Sequence, residues 1–262
     1  MTLKELMKTH EKKHVQQLNN LALAHWSLNL YPDAREAGGT FITSRAYQRN
    51  TGLKGFAKDP ERSAVEAARR ASGRIRRYAA ANGLNRLGTL TYSGVGCHDQ
   101  LQARQDISEF FISLRELTKG KKLPYIWVPE WHPGGHGIHL HFAVGKYIKR
   151  SVLEASWPHG FVHIKLLGDL PSQSSVLTEA RVAAGYLSKY VSKSFLDEKR
   201  IFGKHRYDLA QGFTPEVVNM TGNSPYALIS LANEQMGRHP KRQWSSEDVE
   251  NWQGAPAFWA QW

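Results

Sequence analysis

Glu130, His139 and His141 lie close together in the chain and carry the side chains best suited to hold a metal ion. In a β-strand, alternate residues share a face. The imidazoles of His139 and His141 therefore project together, while Ile138, Leu140 and Phe142 point the other way, towards a core. The dipeptide Gly134-Gly135 suits a two-residue hairpin turn, whose backbone needs positive φ angles. Such a turn sets Glu130 directly opposite His139, with Cβ atoms roughly 4.5–5.5 Å apart on one face. One carboxylate and two imidazoles then converge, and a mixed set of three ligands leaves positions open for a catalytic Mg²⁺ or Mn²⁺. His132 falls on the same face and His136 in the turn, so both are alternative ligands. The competing reading is a histidine-rich surface hairpin without a metal.

A second constellation is Tyr186, Lys189, Tyr190 and Lys193. These positions follow the i, i+3, i+4, i+7 spacing of one helical stripe, so two phenols and two ammonium groups share a face. Ala184, Leu187, Val191 and Phe195 form a separate apolar stripe, so the tyrosines are not merely its filling. A free phenol ionises near about pH 10. Neighbouring ammonium groups favour the phenolate and would neutralise charge on a phosphate in its transition state. The competing reading is a helix that binds DNA through Tyr and Lys without chemistry. Taken together, a Lewis acid and an oxygen nucleophile make a phosphodiester transesterification that passes through a phosphotyrosine.

The elements that must position these groups are legible in part. Residues 60–82 predict an arginine-rich helix, with proline in its first turn and Asn82-Gly83 at its stop. Arg86–Tyr92 alternates and predicts a strand. Residues 100–118 predict an amphipathic helix, 123–131 and 136–144 a hairpin, and 149–156 a short helix. A strand at Gly160–Leu166 and a helix over 176–195 follow. The order predicts an α+β fold, an antiparallel sheet with helices on one side. Residues 3–26 read as a helix, 29–57 as irregular connection, and the last stretch resists assignment.

Composition narrows the partners. The 262 residues carry 35 Lys and Arg against 23 Asp and Glu, a net charge of +12, which favours a polyanion such as nucleic acid. No apolar run approaches the roughly 20 residues of a membrane span. Lys4, Lys8, Lys12 and Lys13 interrupt any apolar leader, so a cytoplasmic protein is expected. The single cysteine, Cys97, excludes an internal disulfide framework and a multi-cysteine zinc site.

In this order, the segments resemble the HUH endonucleases, specifically the rolling-circle replication initiators of bacterial plasmids and phages. Gly88-Thr89-Leu90-Thr91-Tyr92 resembles the first motif, a Thr-containing strand. His139-Leu140-His141 is the histidine-hydrophobic-histidine motif, with Glu130 spaced like the carboxylate ligand of related viral initiators. Tyr186–Lys193 resembles the Tyr-x-x-Lys-Tyr-x-x-Lys form of the third. The resemblance covers residues 86–196; the relaxase branch, with three histidines and N-terminal tyrosines, does not fit.

It implies an approximately five-stranded antiparallel sheet with the histidines on a central strand. The catalytic domain would span 58–200, between a helical or irregular extension at 1–57 and an unassigned one at 201–262. The implied activity is site-specific nicking and strand transfer, started by Tyr186 or Tyr190 and assisted by Lys189 and Lys193. The metal ligands would be Glu130, His139 and His141, and the substrate single-stranded or hairpin origin DNA. The sequence contains no Gly-x-x-x-x-Gly-Lys-Ser/Thr loop, so strand separation is expected from a host helicase and extension from a host polymerase. A two-tyrosine transposase shares this chemistry, and a non-catalytic single-stranded-DNA-binding protein is the rival outside the enzymes.

Overall fold

The computed structural model describes residues 24–43, 59–120, 122–166, 174–196 and 205–262. The chain divides into two compact units, one formed by residues 57–215 and the other by residues 1–56 with 216–262.

The unit of residues 57–215 is built on a five-stranded antiparallel sheet. Its strands are β3 (Arg86–Tyr92), β4 (Tyr125–Trp131), β5 (Ile138–Val144), β6 (Gly160–Leu166) and the two-residue β7 (Asp208–Leu209), in the order β6-β3-β5-β4-β7. The histidine strand β5 is thus central, and the fold is α+β.

Among the described residues, four helices pack on this sheet: α1 (Pro60–Asn82), α2 (Gln100–Leu117), α3 (Arg150–Ser156) and α4 (Val176–Leu196). Their ends follow local chemistry. Asp59 caps α1 by accepting from the Arg62 amide, Pro60 sits in its first turn, and Gly83 closes it in the left-handed region. Asp99 caps α2 by accepting from the Leu101 and Gln102 amides.

The helices cover both faces of the sheet, which corrects the one-sided layering expected from the element order. Leu140, Phe142 and Val144 of β5 join Phe110, Phe111 and Leu114 of α2 and Leu153 of α3 in one core. Ala143 of β5, Leu87 and Val128 join Ile75 and Tyr78 of α1 and Leu187 and Val191 of α4 in the other. A central strand with both faces covered is almost entirely buried, as β5 is. Where Phe142 lies across Gly88, close packing leaves no room for a side chain: a Cβ there would come within 2.1 Å of the ring.

The hairpin keeps the expected register, Glu130 opposite His139 and Trp131 opposite Ile138. Its turn is wider than the two-residue form expected at Gly134-Gly135. The Gly135 amide donates to the His132 carbonyl, and the His132 amide to the Gly137 carbonyl. Positive φ falls at Gly135 and Gly137. The wider loop is centred on the same dipeptide, so the strand pairing is unchanged.

The second unit holds a five-stranded antiparallel sheet. Its strands are β1 (His25–Tyr31), β2 (Glu36–Ile42), β8 (Val218–Gly222), β9 (Arg242–Ser245) and β10 (Ala257–Gln261), in the order β8-β1-β2-β10-β9, with α5 (Pro225–Met236) against the sheet. Its core gathers Leu28, Leu30, Leu228, Phe258 and Trp262. The segment read as irregular connection from residue 29 therefore contains two strands where it is described. The expected helix over residues 3–26 lies almost wholly outside the described residues, and its last two belong to β1.

Candidate active site

Alternation along β5 puts His139, His141 and Ala143 on the face covered by α1 and α4, so the imidazoles are not on an open surface. His141 is only 6% exposed. Its Nδ1 lies 3.0 Å from the Thr89 hydroxyl, on the residue paired with it across β3. Its Nε2 lies 2.9 Å from Glu130 Oε2 on the other neighbour, β4. A histidine held at one nitrogen by a fixed partner presents the other in a set direction, as metal-ligating imidazoles do. Thr89 belongs to the motif read on β3, but no role was evident for it in the sequence. Its signal is strand register: Thr89 is the direct neighbour of His141.

His139 faces the same side, opposite Glu130, while its ring rests against His132 with centroids 4.6 Å apart. Burial lowers the pKa of both imidazoles below the ordinary 6.5. Neighbouring His132 and His141 add to the effect at His139, and Glu130 opposes it at His141. Both rings are thus held neutral near pH 7, the form that offers a lone pair to a metal.

Helix α4 lays its polar stripe over this pair. The Tyr190 ring stacks on His141, with centroids 4.0 Å apart and planes 10° from parallel. Tyr186, one turn earlier, meets His141 edge-on at 6.4 Å. The Tyr190 hydroxyl donates to that of Tyr186 at 2.5 Å. Lys193 Nζ donates to Glu130 Oε1 at 2.9 Å, so Glu130 bridges the imidazole and the ammonium. Lys189 is exposed on the same stripe. The structure therefore brings Glu130, His141, Tyr186, Tyr190 and Lys193 together, with His139 alongside.

One electrostatic expectation changes. Lys193 spends its charge on Glu130, the nearest carboxylate, rather than on the phenols. Burial, the Tyr186 hydroxyl and the Glu130 charge raise the pKa of Tyr190 well above its usual value. In this arrangement Tyr190 is a neutral phenol whose proton points at Tyr186.

A second cluster was not apparent in the sequence. On the opposite face of the sheet, Asp106, Glu109 and His159 bring ligand atoms within 4.8 Å of one another and could hold a metal ion. By that measure Glu130, His139 and His141 stand wider apart. Asp106 is buried and already accepts from the Tyr92 hydroxyl at 2.6 Å and the Gln102 amide at 2.7 Å. Spacing along α2 puts Asp106 and Glu109 on one face, but only the fold brings in His159.

Residues 85–195 match a family model of replication-associated proteins. The match spans less than half of the chain and supports a replication-initiator relationship. It runs from the start of β3 almost to the end of α4, so Thr89, Glu130, His139, His141 and the whole Tyr-Lys stripe fall inside the matched residues. No curated protein and no solved structure matches the chain.

Proposed function

We propose that the protein is a site-specific DNA-nicking and strand-transfer enzyme of the HUH type that initiates rolling-circle replication. The observation that carries this reading is the stacking of Tyr190 on His141, while Lys193 of the same helix reaches Glu130. Two motifs far apart in sequence thus form one site, and it lies within the replication-associated match.

The donor chemistry, one carboxylate and two imidazoles, suits a divalent ion. His141 Nε2 and a Glu130 oxygen already converge, Thr89 holds the far side of the ring, and both imidazoles are neutral. Glu130, His139 and His141 would hold Mg²⁺ or Mn²⁺, which as a Lewis acid would polarise the scissile phosphate.

The rest falls to the chain's own groups. Tyr190 attacks the phosphorus and the 3′-oxygen departs and takes up a proton from solvent, leaving a 5′-phosphotyrosine and a free 3′-OH that a host polymerase extends. The phenolic proton has a path through the Tyr186 hydroxyl to solvent. Lys193 and Lys189 supply positive charge to the phosphate oxygens in the transition state. Tyr186, one turn away, is placed to resolve the product by a second transesterification. The phosphotyrosine conserves the energy of the broken bond, so religation needs no ATP. Single-stranded or hairpin DNA is the substrate, and a host helicase opens the duplex.

The test is to incubate the protein with single-stranded plasmid DNA and Mn²⁺, trap the covalent product and sequence its DNA end. One 5′ end joined to the protein is expected. Random ends, or cleavage products with no protein attached, would refute the proposal.

The lysines give an independent check. Lys193→Ala is expected to slow single-turnover cleavage by roughly 10²–10³, the usual cost of losing one donor to transition-state charge. DNA affinity should change far less. If instead the dissociation constant rises and the rate at saturation holds, Lys193 only binds DNA.

A further inference from the structure

At the end of β5 opposite the hairpin, the loop after Val144 and the end of α2 line a half-open cavity of about 330 Å³. Among the described residues, four lysines line it, Lys119, Lys122, Lys146 and Lys149, and no carboxylate does. Among the described residues no carboxylate pairs with any of the four; Lys146 Nζ donates to the Lys122 carbonyl at 3.1 Å. Leu123, Ile148 and Val152 give it an apolar floor. Tyr147 stands at its rim with 76% of its surface exposed.

Lysines at a helix C-terminus are favourable with the helix dipole, and that accounts for some of the charge beside α2. It gives no reason to leave a tyrosine almost fully in water next to an apolar floor. An aromatic face ringed by ammonium groups is the chemistry of single-stranded nucleic-acid sites, in which a base stacks and the phosphates are neutralised. The volume falls at the small end of ligand pockets, as one nucleotide requires.

We propose that this cavity is a second DNA-contact site, in which one nucleotide of a single strand stacks on Tyr147 while Lys119, Lys122, Lys146 and Lys149 hold the adjoining phosphates. The proposal rests on the nickase reading for its substrate. The cavity lies on the sheet face covered by α2 and α3, opposite the histidine face, and Val144, where β5 ends, is three residues beyond His141 and five beyond His139, roughly 10–17 Å at about 3.3 Å per residue. A single strand of several nucleotides passing around the end of β5, from one face of the sheet to the other, would reach both sites. A remote anchor of this kind would keep hold of the DNA while the reacting phosphate changes partners.

The test uses the full chain and oligothymidylate carrying 5-iododeoxyuridine. Irradiation is expected to crosslink the probe to Tyr147, mapped by mass spectrometry. Tyr147→Ala should weaken binding of the unmodified oligomer about tenfold, the effect of losing one stacked base, and Tyr147→Phe should restore it. The double change Lys146→Ala with Lys149→Ala should flatten the dependence of log affinity on log salt by roughly 1.4. Single-turnover cleavage at saturating DNA should be unchanged in all three variants. No crosslink at Tyr147, with affinity unaltered in Tyr147→Ala, overturns the proposal. So does competition by free thymidine monophosphate as tight as that of the oligomer, which would make the cavity a mononucleotide site.

The two readings fail separately. In the variant lacking both Tyr186 and Tyr190 hydroxyls the crosslink should persist although no phosphotyrosine can form. A crosslink without any adduct in the unaltered protein would leave the DNA site standing and remove the nickase.

Discussion

Replacing both Tyr186 and Tyr190 by phenylalanine is expected to eliminate the covalent protein–DNA adduct while leaving the fold and DNA affinity nearly intact. Phenylalanine keeps the ring, so the stack on His141 survives. The loss is the 2.5 Å hydrogen bond between the two hydroxyls, which on a half-exposed helix face contributes about 1 kcal/mol. The single changes separate the roles. Tyr190 lies closer to His141, 4.0 Å between centroids against 6.4 Å for Tyr186, so Tyr190→Phe should abolish initial nicking. Tyr186→Phe should spare initial nicking and impair the strand transfer that closes a replication cycle. The measurement is mass spectrometry of the peptide that retains the 5′-phosphate. If the two single variants exchange phenotypes, the order of attack is reversed and the chemistry stands. An adduct in the double variant, or one mapped outside residues 186–190, ends the mechanism.

What the sequence made legible was mostly local. Arg86–Tyr92 and Gly160–Leu166 are strands with the bounds expected, and α1 runs over residues 60–82 between its proline and Gly83. The Glu130–His139 pairing was legible because a hairpin contains its own partner strand. The second unit was not, since β10 pairs with β2 and β1 with β8 across most of the chain. No periodicity within one segment announces such pairings. Helices on both faces were equally hidden, because α1 precedes the sheet in sequence yet packs beside α4 on the histidine face. At the site, spacing put Lys193 and the phenols on one stripe, but it could not reveal that the ammonium pairs with Glu130. The Asp106, Glu109 and His159 cluster depends on a loop residue brought to α2 by tertiary structure alone.

Glu130→Ala or His141→Ala is expected to cut cleavage by about a thousandfold, the several kcal/mol of Lewis-acid stabilisation at 1.36 kcal/mol per factor of ten. His139→Ala should act in the same direction. DNA binding should persist, because it rests on phosphate contacts from a chain of net charge +12. The pH dependence has a definite sign. Both imidazoles have pKa values lowered from 6.5, chiefly by burial, so the neutral, ligating form survives to a pH below 6.5. Cleavage should therefore hold as pH falls to 6.5 and decline below it, with the decline moved to lower pH by more Mn²⁺, since metal and protons compete for the same nitrogens. The second cluster sharpens the test. Asp106→Asn, which keeps the shape of the side chain beside Tyr92, should leave cleavage and its Mn²⁺ dependence unchanged. Loss of metal dependence in that variant, with His141→Ala still active, would move the ion to the opposite face of the sheet. Full cleavage in excess chelator would remove the ion from the chemistry and leave the tyrosines to act on charge from Lys189 and Lys193 alone.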